Sequence, residues 1–345
     1  MLLKKKLLLK IQRYFENNLF DFMKKLSLKK SILLIIYLWI ISLPMKPIHH
    51  NKFNYINVAY SVDGYFHYIT HISMKSIMLS QNPSTFINFY ILCSNINEEQ
   101  KEVINRIKAQ HNNCKIEYID MRNKFKDLRI PKANLVHWTT ANFYRVELQN
   151  LFPHEKKILF LDGDTLIYKD LNDLYNYNID GKFYVGMLEN GDFNAIYYEK
   201  KFDNYINTGV ILCNLEELRK GNISQKYINF YKSYSDIIRY PVNEVLNIVS
   251  HKKNGYFPPN YVVIGFCNED DALNYYSKSS IKVNQTEVLK AYKDPYIYHL
   301  IYYGKPWKNI PKKKNKICVD RFIRFYEMAR KTDFYYDILK KFKIE

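Results

Sequence analysis

The sequence predicts an α/β fold in which a mostly parallel, Rossmann-like sheet carries helices on both faces. Apolar runs of strand length alternate with helical segments, and the strands are apolar throughout rather than at every second residue. Apolar residues make up 47% of 345 residues, which is enough for a substantial core. No G-x-G-x-x-G follows the first strand and no G-x-x-x-x-G-K-[ST] occurs, which disfavours dinucleotide oxidoreductases and P-loop enzymes.

Strands and helices alternate in the first half of the chain. A turn at Asp63-Gly64-Tyr65 follows the first strand, and Asn97 can cap a helix whose first turn carries two glutamates. Strands are predicted over 56–62, 87–93, 115–120 and 157–161, and helices over 67–81, 98–110 and 140–151.

The regular alternation of strands and helices ends after residue 164. This favours a nucleotide-binding half joined to a second half. A loop is predicted over 257–260 and a short extended segment over 295–299. Strands are predicted over 183–188 and 209–215, and helices over 223–234, 243–249 and from about 320 to the end.

The most informative motif is Asp162-Gly163-Asp164, which ends the predicted strand 157–161. A buried strand tolerates two carboxylates only at its carboxyl end, where open α/β sheets place their ligand crevice. Two aspartates two residues apart on an extended backbone face the same way and can hold one divalent cation. Gly163 would let a diphosphate or a sugar approach the main chain. Alone the triplet is weak evidence, since most such triplets are surface turns.

The net charge of +18 suggests nucleic acid, but its distribution argues against that partner. Residues 1–52 contain 11 Lys/Arg and 2 Asp/Glu, and six more lysines lie within 305–316. The apolar run 32–45 is shorter than the roughly 20 residues of a comfortable membrane span. This run could be a short membrane anchor, an interfacial amphipathic segment or a buried helix. Of these we favour membrane association, and we expect residues 1–46 to contact a membrane surface.

Six segments in the same order resemble the retaining sugar-nucleotide transferases of glycosyltransferase family 8. The resemblance covers roughly residues 54–310. Over this range the chain is similar to lipopolysaccharide glucosyl- and galactosyltransferases and to glycogenin. The resemblance implies a GT-A fold with smaller acceptor-side elements. Beyond the resemblance, the sequence pattern predicts a helical tail over 311–345. The matching segments are 56–65, 137–145, 161–164, 205–210, 241–247 and 299–307.

The resemblance implies a metal and diphosphate site. Asp162, Asp164 and His299 would hold a divalent ion, usually Mn²⁺, with Mg²⁺ as an alternative, and Lys305 would reach the diphosphate. Such an ion offsets the charge that develops on the leaving diphosphate. A lone histidine on an apolar strand would otherwise be read as a core residue, but Lys-Pro-Trp downstream matches the family spacing.

The resemblance also implies which residues contact the donor. Structural alternatives stay open for some of these residues. Asp63 and Tyr65 could be a turn aspartate and a packed tyrosine, Arg145 could form a surface salt bridge, and Asn207 could be a turn asparagine. The residues implied to bind the nucleotide sugar are Ala59, Tyr60, Asp63, Tyr65, Arg145, Asp162, Gly163, Asn207, Asn243 and Lys305. Trp307 is expected to serve packing.

The chain departs from the family pattern in the segment expected to bind the sugar. Val242 stands where the family often has an aspartate, and Asn243 stands where it has a glutamine. Family enzymes are commonly described as using same-face attack without a strong protein base, which agrees with the absence of an evident nucleophilic carboxylate near Asn243. Asn243, Arg145 and Glu244 are the expected catalytic residues. Glu244 is the one carboxylate of this segment that could be an exception to the absence of a nucleophile.

The sequence therefore predicts a metal-dependent retaining transferase that moves glucose or galactose from a UDP-sugar to a glycan or glycolipid. The alternative is an inactive relative that binds a nucleotide sugar or glycan. We expect a membrane-associated segment over 1–53 and a catalytic domain over 54–310. The enzyme would lie on the cytoplasmic face if the source is bacterial, and be lumenal with type II topology if it is eukaryotic.

Overall fold

A seven-stranded sheet organises the protein, as seen in a computed structural model that describes residues 54–128, 130, 139–189, 205–266, 268–277, 283–301, 305–308 and 319–342. These residues belong to one compact unit, Phe53–Glu345. The basic and apolar segment 1–53 lies outside them, as does His137. No helix within the described ranges has both the length and the apolar character needed to cross a bilayer.

The elements of the described residues are numbered in chain order. The strands are β1 (Asn54–Val62), β2 (Thr85–Cys93), β3 (Cys114–Asp120), β4 (Lys157–Leu161), β5 (Thr165–Ile167), β6 (Tyr184–Leu188), β7 (Ile206–Asn214), β8 (Asn254–Phe257), β9 (Val262–Ile264) and β10 (Ile297–His299). The α-helices are α1 (Phe66–Ser80), α2 (Glu98–Gln110), α3 (Leu148–Leu151), α4 (Asn172–Tyr175), α5 (Leu215–Gly221), α6 (Ile223–Tyr234), α7 (Pro241–Val249), α8 (Glu269–Ser277), α9 (Gln285–Lys293), α10 (Val319–Ala329) and α11 (Tyr335–Phe342).

The main sheet has the strand order β3-β2-β1-β4-β7-β6-β8. Neighbouring strands are parallel except at β7, which runs antiparallel to both β4 and β6. A second, small sheet has the order β5-β10-β9. The prediction of a mostly parallel sheet is confirmed.

Helices cover both faces of this sheet, as predicted. Successive side chains of a strand point to opposite faces, and the residues of β4 accordingly divide between two apolar clusters. Leu159 and Leu161 pack in the cluster that includes α1, whereas Ile158 and Phe160 pack in the cluster that includes α6 and α7. Both faces of the central strand are therefore buried, which explains its continuous apolar sequence.

Two predicted elements differ in the structure. The helix expected over 140–151 is a 3-10 helix at Thr140–Glu147 that continues into α3. Side chains three residues apart lie above one another in a 3-10 helix, and Arg145 Nε donates to the Asn142 carbonyl at 3.2 Å. Strand β7 begins at Ile206, before the expected residue 209, because Met187 and Leu188 of β6 pair with Asn207 and Ile206.

The tail is mostly helical where it is described, but residues 330–334 form turns that divide it into two helices, α10 and α11. Helix α10 buries Phe325 and Ala329 in the core, and Trp307 packs on Phe325 with ring centroids 5.3 Å apart. The ring of Phe342, at the end of α11, is nearly perpendicular to the ring of Tyr65, and the two ring centroids are 5.8 Å apart. The tail thus contacts the turn after β1.

Candidate active site

Two strand pairings bring Asp162, Asp164 and His299 together. Asp162 follows β4 directly, and its N–H donates to the Gly209 carbonyl of β7 at 2.6 Å. Strand β10 runs antiparallel to β5 with His299 opposite Thr165, the neighbour of Asp164. These pairings place an imidazole beside two carboxylates although 135 residues separate His299 from Asp164.

The three side chains converge on one point. His299 Nε2 lies 3.2 Å from Asp164 Oδ1 and 3.7 Å from Asp162 Oδ2. One ligand atom from each residue falls within 4.8 Å of the others. His299 is 1% exposed and Asp164 6% exposed, while Asp162 is half-buried. We call these three residues the metal triad.

The oxygen of each aspartate that faces away from the histidine is paired with a cation. Lys305 Nζ lies 2.5 Å from Asp164 Oδ2 and also donates to the Leu300 carbonyl at 2.6 Å. Arg145 Nη2 donates to Asp162 Oδ1 at 2.8 Å. Each carboxylate therefore offers one oxygen to the centre of the triad and holds a positive side chain with the other.

Arg145 is anchored more firmly than a surface salt bridge would require. It is 5% exposed, its Nη1 donates to the Thr208 carbonyl at 2.6 Å, and its guanidinium lies 4.3 Å from the centre of the Phe160 ring. The alternative reading of Arg145 as a surface ion pair is wrong.

The charge state of Asp164 reflects these neighbours. Burial by itself would raise the pKa of Asp164, but Lys305 and His299 outweigh burial and hold the pKa below its ordinary value. The carboxylate is therefore ionised at neutral pH and available as a metal ligand.

The residues present fit a divalent ion. Two carboxylate oxygens and an imidazole suit Mn²⁺ or Mg²⁺ as hard or borderline ligands. A Cβ at Gly209 would collide with the side chains of Asp162 and His299, so the glycine leaves the triad its space. Together with the burial of the triad, this argues for a site shaped around the three ligands.

Next to the metal triad lies a group of polar side chains on β7, on α7 and directly after β6. Asn207 Oδ1 accepts from the Gly209 N–H at 2.9 Å, and the Thr208 hydroxyl is hydrogen-bonded to Asn243 Oδ1. The amide groups of Asn207 and Asn243 both point to Glu189 Oε2, at 3.5 and 3.4 Å. We call Glu189, Asn207, Thr208 and Asn243 the amide cluster. Asn207 lies in a strand, so its reading as a turn asparagine is wrong.

Glu189 is the functional candidate that sequence reasoning missed. Glu189 follows β6, and its Oε2 lies 3.4 Å from the Asn243 amide nitrogen, so a carboxyl group that was not expected from the sequence lies beside Asn243. The sequence does carry a signal for Glu189: like Asp162, it is an acidic residue directly after an apolar strand. Burial raises the pKa of Glu189 to about 8, although the hydrogen bond from Asn207 lowers it. Near pH 7 the side chain is therefore mostly a neutral acid.

The residues expected at the nucleotide lie on β1 and the turn after it. Ala59 and Tyr60 are fully buried, and the Tyr60 hydroxyl is hydrogen-bonded to Ser73 at 2.9 Å. Neither residue therefore exposes surface that a ligand could contact in this structure. Asp63 is half-buried and Tyr65 is 37% exposed, stacked on Phe66.

Two further expected residues have visible structural contacts. Glu244 accepts a hydrogen bond from the Arg239 N–H at 3.3 Å, at the start of its own helix. A Cβ at Gly163 would lie 2.5 Å from Thr70 Oγ1, so this glycine is needed for the close approach of α1. Trp307 is 3% exposed and packs on aromatic rings, which confirms its expected packing role.

Comparison with known families gives a match over most of the described fold. The model of the family described as glycosyl transferase family 8 matches residues 57–311. The matched range contains the metal triad, the amide cluster and Lys305.

Individual proteins of this kind are similar over much of their length. Lipopolysaccharide 1,2-glucosyltransferase of Escherichia coli is 23% identical over 304 residues, covering 80% of this chain and 86% of that protein. A Haemophilus influenzae protein with a provisional glycosyltransferase name is 28% identical, and the match covers 56% of this chain and 58% of that protein. The solved structure of galactosyltransferase LgtC with donor and acceptor sugar analogues has a TM-score of 0.62 at 18% identity, over 81% of this chain and 96% of that chain. This likeness confirms the GT-A fold.

Proposed function

This chain belongs to glycosyltransferase family 8 and is a glycosyltransferase, and from that premise we propose that it moves a hexose, glucose or galactose, from a UDP-sugar to a glycan or glycolipid with retention of configuration. The observation that carries the proposal is the convergence of Asp162, Asp164 and His299 beside Lys305. The named functions of similar proteins, an Escherichia coli lipopolysaccharide glucosyltransferase and a galactosyltransferase, support a hexose.

The metal triad would hold the ion and the donor diphosphate at the carboxyl end of β4. A bound Mn²⁺ or Mg²⁺ would supply Lewis-acid stabilisation of the charge on the leaving diphosphate. Arg145 keeps Asp162 in place through the bond at 2.8 Å. Lys305 adds a mobile positive charge, which suits contact with phosphate oxygens.

The amide cluster would hold the hexose. Asn207 and Asn243 offer amide groups that are oriented by Thr208, Gly209 and Glu189. Because Val242 is 1% exposed within an apolar cluster, it offers no hydrogen bond to a sugar, and we propose that Glu189 binds a sugar hydroxyl instead.

The charge of Glu189 also bears on the reaction path. With a pKa of about 8 the side chain is mostly protonated at neutral pH, and a protonated carboxyl is a poor nucleophile. This supports same-face attack, in which a phosphate oxygen of the leaving group takes the acceptor proton. Glu244, which lies on α7 beside Asn243 and accepts a hydrogen bond from the Arg239 main chain, is the second acidic candidate.

The test is hydrolysis and transfer across a panel of UDP-sugars, followed by mass spectrometry, with Mn²⁺ and with a chelator. We expect turnover with a UDP-hexose that requires the metal and falls at least about 100-fold in Asp164→Ala. Asp180→Ala removes an exposed aspartate shortly before β6, at the end of the sheet opposite the triad, and should keep full activity. Equal rates in all arms would refute the proposal, and tight UDP-sugar binding without turnover would identify an inactive binding relative.

We also propose that residues 1–46 attach the enzyme to an anionic membrane surface, where a glycolipid acceptor would lie. The excess of lysine in this segment supports an electrostatic contact. The full chain should sediment with vesicles that contain anionic lipid and be released by high salt. Equal sedimentation with neutral vesicles would contradict an electrostatic attachment.

A further inference from the structure

The ion pair between Lys305 and Asp164 has a consequence for metal binding. Asp164 Oδ1 faces His299 Nε2 at 3.2 Å, while Asp164 Oδ2 is bonded to Lys305 Nζ at 2.5 Å. Any divalent ion held by the triad would therefore share a buried carboxylate with an ammonium group. Two cations on one carboxylate repel each other, and burial weakens the screening of that repulsion.

The charges of the described residues around the triad are already balanced. The carboxylates of Asp162 and Asp164 are paired with the guanidinium of Arg145 and the ammonium of Lys305. Binding of a divalent ion alone would thus give this neutral group of side chains an excess positive charge. Binding of the ion together with a diphosphate would not, because the negative charge of the diphosphate offsets the positive charge of the ion.

We propose that Lys305 is an internal counter-ion of Asp164 that weakens the binding of a divalent metal alone and makes it depend on the donor diphosphate. The inference rests on the proposed function, because it takes a nucleoside diphosphate as the partner that Lys305 turns to. Binding of the metal and binding of the diphosphate then strengthen each other by the same factor.

Lys305 rather than Arg145 is the residue that can change partners. Arg145 is 5% exposed, with further bonds to the main chain at Thr208 and Asn142 and a contact with Phe160. Lys305 is half-buried, its flexible stem carries three rotatable donors, and its second bond, to the Leu300 carbonyl, keeps the ammonium near the triad. It can therefore exchange Asp164 for another anion, such as a diphosphate, while the Leu300 carbonyl still holds the ammonium.

The experiment measures Mn²⁺ binding by electron paramagnetic resonance of free Mn²⁺ with the full chain. Wild type, Lys305→Met and Lys308→Met are titrated without nucleotide, with UDP and with uridine. Lys308 is exposed and three residues further along, so its variant removes the same charge from the same segment without touching Asp164. Lys305→Gln, which keeps a hydrogen-bond donor but no charge, is the second variant, and circular dichroism checks that each variant is folded.

In the wild type we expect UDP, but not uridine, to tighten Mn²⁺ binding by a factor on the order of 10 or more. Lys305→Met and Lys305→Gln should bind Mn²⁺ alone about tenfold more tightly than wild type, and the effect of UDP should shrink. Lys308→Met should behave like wild type.

The inference is overturned if a folded Lys305 variant binds Mn²⁺ alone as weakly as wild type, or more weakly. It is also overturned if uridine tightens Mn²⁺ binding as much as UDP does. Failure of the proposed function looks different: no UDP-sugar is turned over, while the comparison of Mn²⁺ affinities without nucleotide still decides the role of Lys305.

Discussion

Replacing Glu189 by glutamine should change how the stability of the fold depends on pH. Glu189 is 2% exposed, and burial raises the pKa of its carboxyl from 4.5 to about 8. Glutamine has the same shape and keeps a carbonyl oxygen that can accept from the Asn207 amide. The substitution therefore removes one titrating group from the amide cluster without leaving a cavity.

The sign and size follow from the pKa values. A raised pKa in the folded state contributes stability below about pH 4.5, and this contribution is lost as the pH rises through about 8. Between these values the folded chain holds a proton that the unfolded chain has released, which costs about 1.4 kcal/mol of stability per pH unit. From about pH 6 to about pH 7.5, wild type should lose about 2 kcal/mol more than Glu189→Gln.

The assay is urea unfolding followed by tryptophan fluorescence at both pH values for both proteins. Other groups with shifted pKa values, such as the buried His71, are present in both proteins and cancel in the comparison. If the free energies of unfolding of wild type and Glu189→Gln change in parallel, to within about 0.5 kcal/mol, Glu189 does not hold its proton as argued.

Three further substitutions test the packing of the site. Gly209→Ala should lower Mn²⁺ affinity about 10- to 100-fold in a resonance titration, since its Cβ would displace two side chains of the metal triad; unchanged affinity would contradict this. Gly163→Ala should cost about 1–3 kcal/mol in urea unfolding through its clash with Thr70, and adding Thr70→Ala should recover part of that loss; additive losses would argue against the contact. In urea unfolding, Val242→Asp should destabilise the fold by about 3 kcal/mol or more, because Val242 is buried among apolar side chains, and it should not raise the rate of sugar transfer; a faster, equally stable variant would contradict this.

Much of the fold follows from local signals in the sequence. The run 157–161 is apolar throughout because β4 is buried on both faces. The helices that alternate with the strands along the chain cover those two faces. Asn97 caps α2 as expected, since its side chain accepts from the Gln100 N–H. The start of strand β7 does not follow from local signals, because its first residues include Asn207, Thr208 and Gly209, which are typical of a turn.

The site was only partly predictable. Asp162 and Asp164 are marked locally by their position after a strand, whereas His299 and Lys305 were found through family spacing and not through any local property. Glu189 has the same local mark as Asp162, but acidic residues after strands are common. The pairing of β6 with β7, which includes a register shift after Gly186, places Glu189 beside Asn207, and the packing of α7 against β7 adds Asn243.

By itself, the sequence determined the α/β class, most strands and helices, and the pair of carboxylates at the end of β4. Those features depend on hydrophobic periodicity and on what a buried strand tolerates, which are properties of neighbouring residues. The tertiary structure alone decided that β10 pairs with β5, that Asp164 divides its oxygens between His299 and Lys305, and that Glu189 is buried and protonated. These contacts join residues far apart in the chain, and their distances and charges exist only once the strands are in register.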